Sequence, residues 1–391
     1  MNPLKASVLA LSALSLAGVT VLTGCPNKTG DSKPTATEEI VVGEYGSMTG
    51  SEATFGQSTH NGIVMAVDEI NAAGGIKGRK VKLVNYDDQG KTSEVGTAVT
   101  RLITSDKALA ILGEVSSSLS IAGGQIAQQQ GVPMISPSST NPKVTETGDY
   151  VFRVCFTDQF QGEVMARFLT NPVAQKGLGL KKVAILIDQR QAYAQGLAKY
   201  FEESLLKLGG SVAAKESYQG GDQDFSAQLT HIKAAQPEAL YIPGYYTDIA
   251  NIAKQVRALG ITVPMLGGDG WESVTDIGGP YLDGSYYSNH YSTDEARPEV
   301  KIFVDKYIAK HKKTPDSMSA LGYDAMMLLK NAIERAPTIE RKAVRDALAA
   351  TQAFSGVTGT ISIDAQRNAK KPAAVLKITG KTTTTAASIA P

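Results

Sequence analysis

Residues 40–88 read IVVGEYGSMTGSEATFGQSTHNGIVMAVDEINAAGGIKGRKVKLVNYDD. The apolar run at 40–45 predicts a short buried strand. Over 58–72, Ile63, Val67 and Ile70 recur at helical spacing, and Gly74 and Gly75 stop that helix before a second apolar run at 81–86. Strand, helix and strand in this order make a βαβ unit. The pattern repeats with a helix at 93–104, a strand at 108–112, a helix at 118–130 and a strand at 132–135. Such a series predicts a parallel sheet covered by helices on both faces.

Beyond Cys155 the same grammar starts again. Helices at 159–169, 195–208, 225–235 and 249–259 alternate with strands at 183–187, 211–217, 239–242 and 263–266, which predicts a second doubly wound lobe. After His290 the pattern changes to three successive helices, 299–311, 317–335 and 339–351, followed by strand-like runs at 359–363 and 374–378. These read as a return to the first lobe and a last crossing to the second.

The N-terminus carries a different signal. Lys5 precedes an uncharged stretch rich in Leu, Val and Ala over 6–21, the anatomy of a secretory signal over 1–24 and too short for a good membrane span. It ends in Leu22, Thr23, Gly24 and Cys25, a run that resembles the lipobox of bacterial lipoproteins. That resemblance implies cleavage before Cys25 and a lipid on its thiol, with the polar stretch to Glu39 as a flexible tether.

Composition narrows the partners. The 39 basic and 38 acidic residues nearly cancel, with no basic run along the body, which argues against nucleic acid or a polybasic membrane surface. The two cysteines are Cys25 and Cys155, so a lipidated Cys25 leaves Cys155 unpaired, expected as a buried small hydrophobe. Catalytic signatures are missing. The four histidines form no HExxH or Cys/His metal spacing, no Walker A loop occurs, and Met48 stands where a nucleophile elbow needs Ser. Asp87 and Asp88 read as turn and capping residues. The chain is expected to be a binding protein without enzyme activity, cofactor or metal.

Polar residues gather instead at strand ends, where open α/β sheets bind ligands. The strand at 108–112 runs into Ser116, Ser117 and Ser118 at a helix start, which suits a carboxylate, or equally simple N-capping. The next strand ends in Ser136, Pro137, Ser138, Ser139 and Thr140. In the second lobe, Tyr193, Tyr245, Tyr246, Asp269 and Trp271 follow strands, offering apolar walls with polar tips and one acceptor for a cation, or loop packing and a fixed glycine turn. Taken together they describe a site for a zwitterion.

From about 42 to 291 the chain resembles the periplasmic leucine/isoleucine/valine-binding protein family, the receptors of branched-chain amino acid ABC transporters. The matching text includes the 50–56 loop, DEINAAGGIKG at 68–78, YDD at 86–88, the serines at 116–118, the 136–140 run, Tyr193 with Gly196 and Leu197, Gly244 with Tyr245, and GGDGW from Gly267. The resemblance implies a type I periplasmic binding fold, two doubly wound parallel-sheet lobes joined by a three-strand hinge. Lobe 1 takes 40–157 and 291–366, lobe 2 takes 158–290 and 367–380, and 381–391 is a disordered tail. It further implies that Ser116 with the backbone of Ser139 and Thr140 holds the ligand carboxylate. The Ser138 carbonyl, the Thr140 hydroxyl and Asp269 hold the ammonium, and Tyr193 and Tyr245 close from the second lobe. Phe55 stands where the family often has Tyr and Asp269 where Glu is common, while Trp271 adjoins the site. The implied partners are a small-molecule amino acid, ABC permease subunits and, through Cys25, a membrane; the implied place is that of an exported bacterial lipoprotein, at the periplasmic or cell-surface face of a membrane. A sensing receptor module and, less favoured, an amidase-like enzyme are the alternatives.

Overall fold

The computed structural model describes residues 38–391, so the expected signal over 1–24, Cys25 and most of the expected tether lie outside the described residues. The first sheet is wholly parallel. Its strands are β1 (Ile40–Gly46), β2 (Val81–Asp87), β3 (Ala110–Leu112), β4 (Met134–Ser136) and β5 (Val151–Arg153), in the order β2-β1-β3-β4-β5. The central strands are short and fully buried, as runs such as Ala110–Leu112 require when helices cover both faces. Between them run α1 (Ala53–Ala72), α2 (Thr92–Thr104), α3 (Ser117–Gln129) and the single turn α4 (Lys143–Glu146).

The second sheet contains β6 (Lys182–Asp188), β7 (Ser211–Tyr218), β8 (Ala239–Tyr241), β9 (Met265–Gly267) and β10 (Tyr286–Asn289). It is wrapped by α5 (Asp158–Thr170), α6 (Ala192–Lys207), α7 (Ser226–Ala234), α8 (Tyr246–Ala258) and the short α9 (Val274–Gly278). The chain then returns to the first sheet through α10 (Pro298–His311), α11 (Ser317–Arg335) and α12 (Arg341–Ala349). Helix α11 is buried around most of its circumference, and it lies so close to α1 that a Cβ on Gly62 would stand 1.9 Å from the Ser319 carbonyl oxygen. Glycine permits that approach.

A small antiparallel sheet, β11 (Phe354–Gly356), β12 (Gly359–Ile363) and β13 (Ala369–Lys370), precedes β14 (Ala373–Thr379), which joins the second sheet antiparallel to β10. The chain does not fray after this point. Residues 382–389 form β15 (Thr382–Ile389), an edge strand antiparallel to β14, where the expectation was a disordered tail over 381–391. Gly380, at φ +60°, turns the hairpin, and β-branched Thr382, Thr383, Thr384 and Thr385 suit an exposed edge.

Candidate functional site

The C-terminal ends of the parallel strands of both sheets point toward one cleft. From the first lobe, the loop after β3 delivers Val115 and Ser117, the loop after β4 delivers Ser138, α1 delivers Phe55 and α11 delivers Met318. From the second, Tyr193 on α6, Tyr245 ahead of α8, and Asp269 with Gly270 after β9 complete the lining. Together these residues enclose about 10 Å³, room for roughly one water molecule. Admission of anything larger therefore requires the two lobes to part.

They meet through aromatic rings and a few hydrogen bonds. Tyr245 stacks on Tyr193 at 5.2 Å and meets Phe55 in a T-shaped pair at 6.0 Å, while Tyr246 packs at 4.7 Å from the same Phe55 ring. The Tyr245 hydroxyl donates to Ser116 Oγ at 3.3 Å. Nearby, Asn141 Nδ2 donates to the Ala192 carbonyl at 2.6 Å and the Ala192 N–H donates to Ser118 Oγ at 3.1 Å, tying both serine-rich loops to the start of α6.

The serine run itself is internally bonded. Ser139 Oγ faces the Glu114 and Val115 carbonyls at 2.9 and 3.0 Å, and the Ser139 N–H donates to Ser136 Oγ at 3.0 Å. The Ser116 N–H donates to the Glu114 carboxylate. Beneath the loop, buried Arg153 donates to the Ser139 and Asn141 carbonyls at 2.6 and 2.7 Å. Thus the Ser139 backbone, which the resemblance implies faces the ligand carboxylate, is committed to building the loop, whereas Ser138 borders the cavity.

Several buried acceptors have no partner among the described residues. Thr140 Oγ1, both carboxylate oxygens of Asp158 and Oδ1 of Asp269 are in this state. Burial pushes the Asp158 carboxyl well above the ordinary carboxylate range; Asp269 adds to that shift, and Thr140 and Arg153 act against it. Acceptors buried in this way are costly unless a donor or cation reaches them. Asp158 was not among the residues picked from the sequence. An acid in a first helical turn looks like an ordinary partner of the helix dipole.

Trp271 sits elsewhere. It is fully buried in the second lobe, its Nε1–H donates to the Ile242 carbonyl at 2.9 Å and it stacks on Tyr287, so it supports the cleft without lining it. Cys155 is buried with its thiol against the Ser139 carbonyl, and burial pushes its pKa up to about 12, a packing role. Asp87 and Asp88 do bind turn N–H groups, those of Met48, Gln89 and Gly90. No group of acids, histidines and cysteines among the described residues is arranged to hold a metal. None of their helices is long and apolar enough to cross a membrane. A larger cavity, about 680 Å³, lies instead beside the inter-lobe crossings at Thr157 and Arg367.

Residues 39–383 match the family model described as periplasmic binding protein. The chain belongs to that family. Its relatives include the Leu/Ile/Val-binding protein homolog 3 of Brucella melitensis, 32% identical over 83% of this chain and 87% of that one. An amino acid binding protein of Pseudomonas aeruginosa is 34% identical over 70% of this chain and 73% of its own length. Among solved structures, the leucine binding protein LivK of Thermotoga maritima superposes with a TM-score of 0.85 at 38% identity, covering 90% of this chain and 99% of that one. The branched-chain amino acid transporter substrate binding protein LivJ of Streptococcus pneumoniae, in complex with isoleucine, gives 0.83 at 34% identity with the same coverage. The two-lobed architecture of this binding protein is accordingly that of the type I periplasmic binding proteins.

Proposed function

We propose that this chain is the extracytoplasmic substrate-binding protein of an ABC transporter and captures an aliphatic amino acid, branched-chain by preference, between its lobes. The observation that carries this reading is the pairing of the unpartnered buried Oδ1 of Asp269 with an apolar wall of Phe55, Val115 and Met318 in one closed cleft, with Thr140 Oγ1 and Asp158 also buried without partners outside that lining. A primary ammonium satisfies the acceptors. The wall accepts a hydrocarbon side chain, and the first N–H groups of α3, with the hydroxyls of Ser116 and Ser117, face a carboxylate. The names of the relatives point the same way.

Capture proceeds by closure. The amino acid docks on the loops of lobe 1 (40–157 and 291–366), and rotation about the crossings near Thr157, His290 and Arg367 brings Tyr193, Tyr245 and Asp269 of lobe 2 (158–290 and from 367 onward) over it. A permease then reads the closed form. Three or four charge-assisted hydrogen bonds, reduced by the cost of ordering and closure, correspond to roughly micromolar affinity, about −8 kcal/mol. A lipid on Cys25 keeps the protein at the membrane, and Cys25→Ser should release it with ligand affinity unchanged.

The deciding experiment is a thermal-shift screen of the protein against all amino acids and short amides, since a ligand that binds only the folded state raises its melting temperature. Stabilisation by Leu, Ile or Val at sub-millimolar concentration is expected. Stabilisation by amides alone, or by no amino acid, would refute the reading.

A further inference from the structure

Asp269 is gripped from two sides by residues that do not line the cleft. Its N–H donates to Gln161 Oε1 at 2.7 Å, and the same oxygen accepts the Ser288 hydroxyl at 2.7 Å. Its Oδ2 lies 2.9 Å from Nε2 of His290, leaving Oδ1 as the oxygen without a partner. The His290 ring is fully buried at the end of β10 and stacks on Phe156 with centroids 3.9 Å apart, on the segment that leads from β5 into the crossing at Thr157. The other ring nitrogen, Nδ1, is buried and meets no partner.

We propose that His290 is a positioning residue for ligand selection: as the neutral Nε2–H tautomer it fixes Oδ2 of Asp269, turns Oδ1 toward the cleft, and so ties recognition of an amino group to the hinge. The assignment rests on reading Asp269 as the acceptor of the ligand amino group. An ionised Asp269 can only accept, so the proton of the pair resides on Nε2, and Nδ1 is left with a bare lone pair, consistent with its lack of a partner. Burial holds His290 below the ordinary histidine range, with Asp269 opposing and Lys371 adding to that effect, which keeps the ring uncharged beside the carboxylate. The stack on Phe156 restricts ring rotation, so the carboxylate is held by a group that itself cannot swing.

Two measurements on the full chain test this. In calorimetry, wild type, His290→Leu and His290→Gln are titrated with L-leucine and with 4-methylpentanoate, its counterpart lacking the amino group. His290→Leu should weaken leucine binding by about tenfold or more while leaving 4-methylpentanoate within about twofold, and His290→Gln, which keeps an N–H donor, should recover part of the loss. Equal loss for both ligands, or no loss for leucine, would overturn the positioning role. Nitrogen-15 NMR of the imidazole supplies a readout that needs no ligand. A single neutral Nε2–H tautomer between pH 6 and 8 supports the assignment, and an Nδ1–H tautomer or an imidazolium overturns it. If wild type binds no amino acid, the failure lies with the proposed function, and the NMR result still decides the His290–Asp269 geometry.

Discussion

The hydroxyl of Tyr245 reaches 3.3 Å to Oγ of Ser116, joining the start of α8 in one lobe to the start of α3 in the other. Both partners are buried, and the bond closes over the cavity between Phe55 and Asp269. Tyr245 thus contributes twice, by a polar tip that fastens the lobes and by a ring stacked on Tyr193.

The two contributions are separable. Tyr245→Phe keeps the ring and should cost about 1 kcal/mol of amino-acid affinity, the worth of one neutral hydrogen bond. Tyr245→Ala removes the stack as well and should cost about 2 kcal/mol or more. Calorimetry gives the affinities. Small-angle scattering should show Tyr245→Ala with a larger radius of gyration, and equal affinities for the two variants would remove the ring from the account.

Asp269→Asn tests the ammonium acceptor directly. Replacing one carboxylate oxygen by an NH2 group removes the charge that an ammonium meets and should weaken amino-acid binding by about 2 to 5 kcal/mol, the usual range for unpairing a buried charge. Melting in the absence of ligand serves as the control for folding. Unchanged affinity would remove Asp269 from the site.

Much of this arrangement is legible in the sequence, for reasons that also explain the rest. The central strands are covered on both faces, so Ala110–Leu112 and Met134–Ser136 appear as short apolar runs between amphipathic helices, and the ligand-facing loops follow from where such strands end. Strand β10 reads Tyr286, Tyr287, Ser288, Asn289, with no apolar run, and the sequence reading assigned it no element; its pairing with β9 and β14 decides it. Strand β15 is polar enough to pass for a tail, and only the waiting edge of β14 makes it a strand. Met318 reaches the cleft from a helix that reads as core throughout. Trp271 and Ser139 show the converse: residues adjacent in sequence to the site whose side chains turn into the scaffold.

Acid should favour the folded state through Asp88. Its carboxyl is pushed up to about 6, chiefly by burial and partly by Asp87, against the pull of the Gly90 N–H and the Ser47 hydroxyl, and its Oδ2 has no partner. An unfolded Asp titrates near 3.9, so between these values the folded state holds a proton that the unfolded state has released. The stabilisation is therefore complete below about pH 4 and lost as pH rises through about 6. Asp88→Asn abolishes this dependence, and its stability relative to wild type should improve by about 2 kcal/mol between pH 4 and pH 7. Urea unfolding at the two pH values measures the difference, and a constant difference would contradict it.

Arg153 should prove the residue on which the first lobe's half of the cleft depends. It is buried at the end of β5, and its guanidinium spans the Ser139, Asn141 and Pro142 carbonyls, at 2.6, 2.7 and 3.4 Å, and Thr145 Oγ1 at 3.3 Å. Those acceptors belong to the loop and turn that carry Ser138 and Thr140, so one side chain fixes the path of the backbone that faces the ligand. Lysine offers a single ammonium on a flexible stem and cannot reproduce the fork, and methionine offers no donor at all. Arg153→Met therefore strands buried carbonyls and should destabilise the protein by about 3 kcal/mol or more, with Arg153→Lys intermediate. The loop loosens before the lobe unfolds, so below the melting temperature the Lys variant should bind amino acid more weakly than wild type even though no group that faces the ligand has changed. Urea unfolding and calorimetry on the same samples measure both effects. A Lys variant with lowered stability and wild-type affinity would show that the loop keeps its shape without the guanidinium.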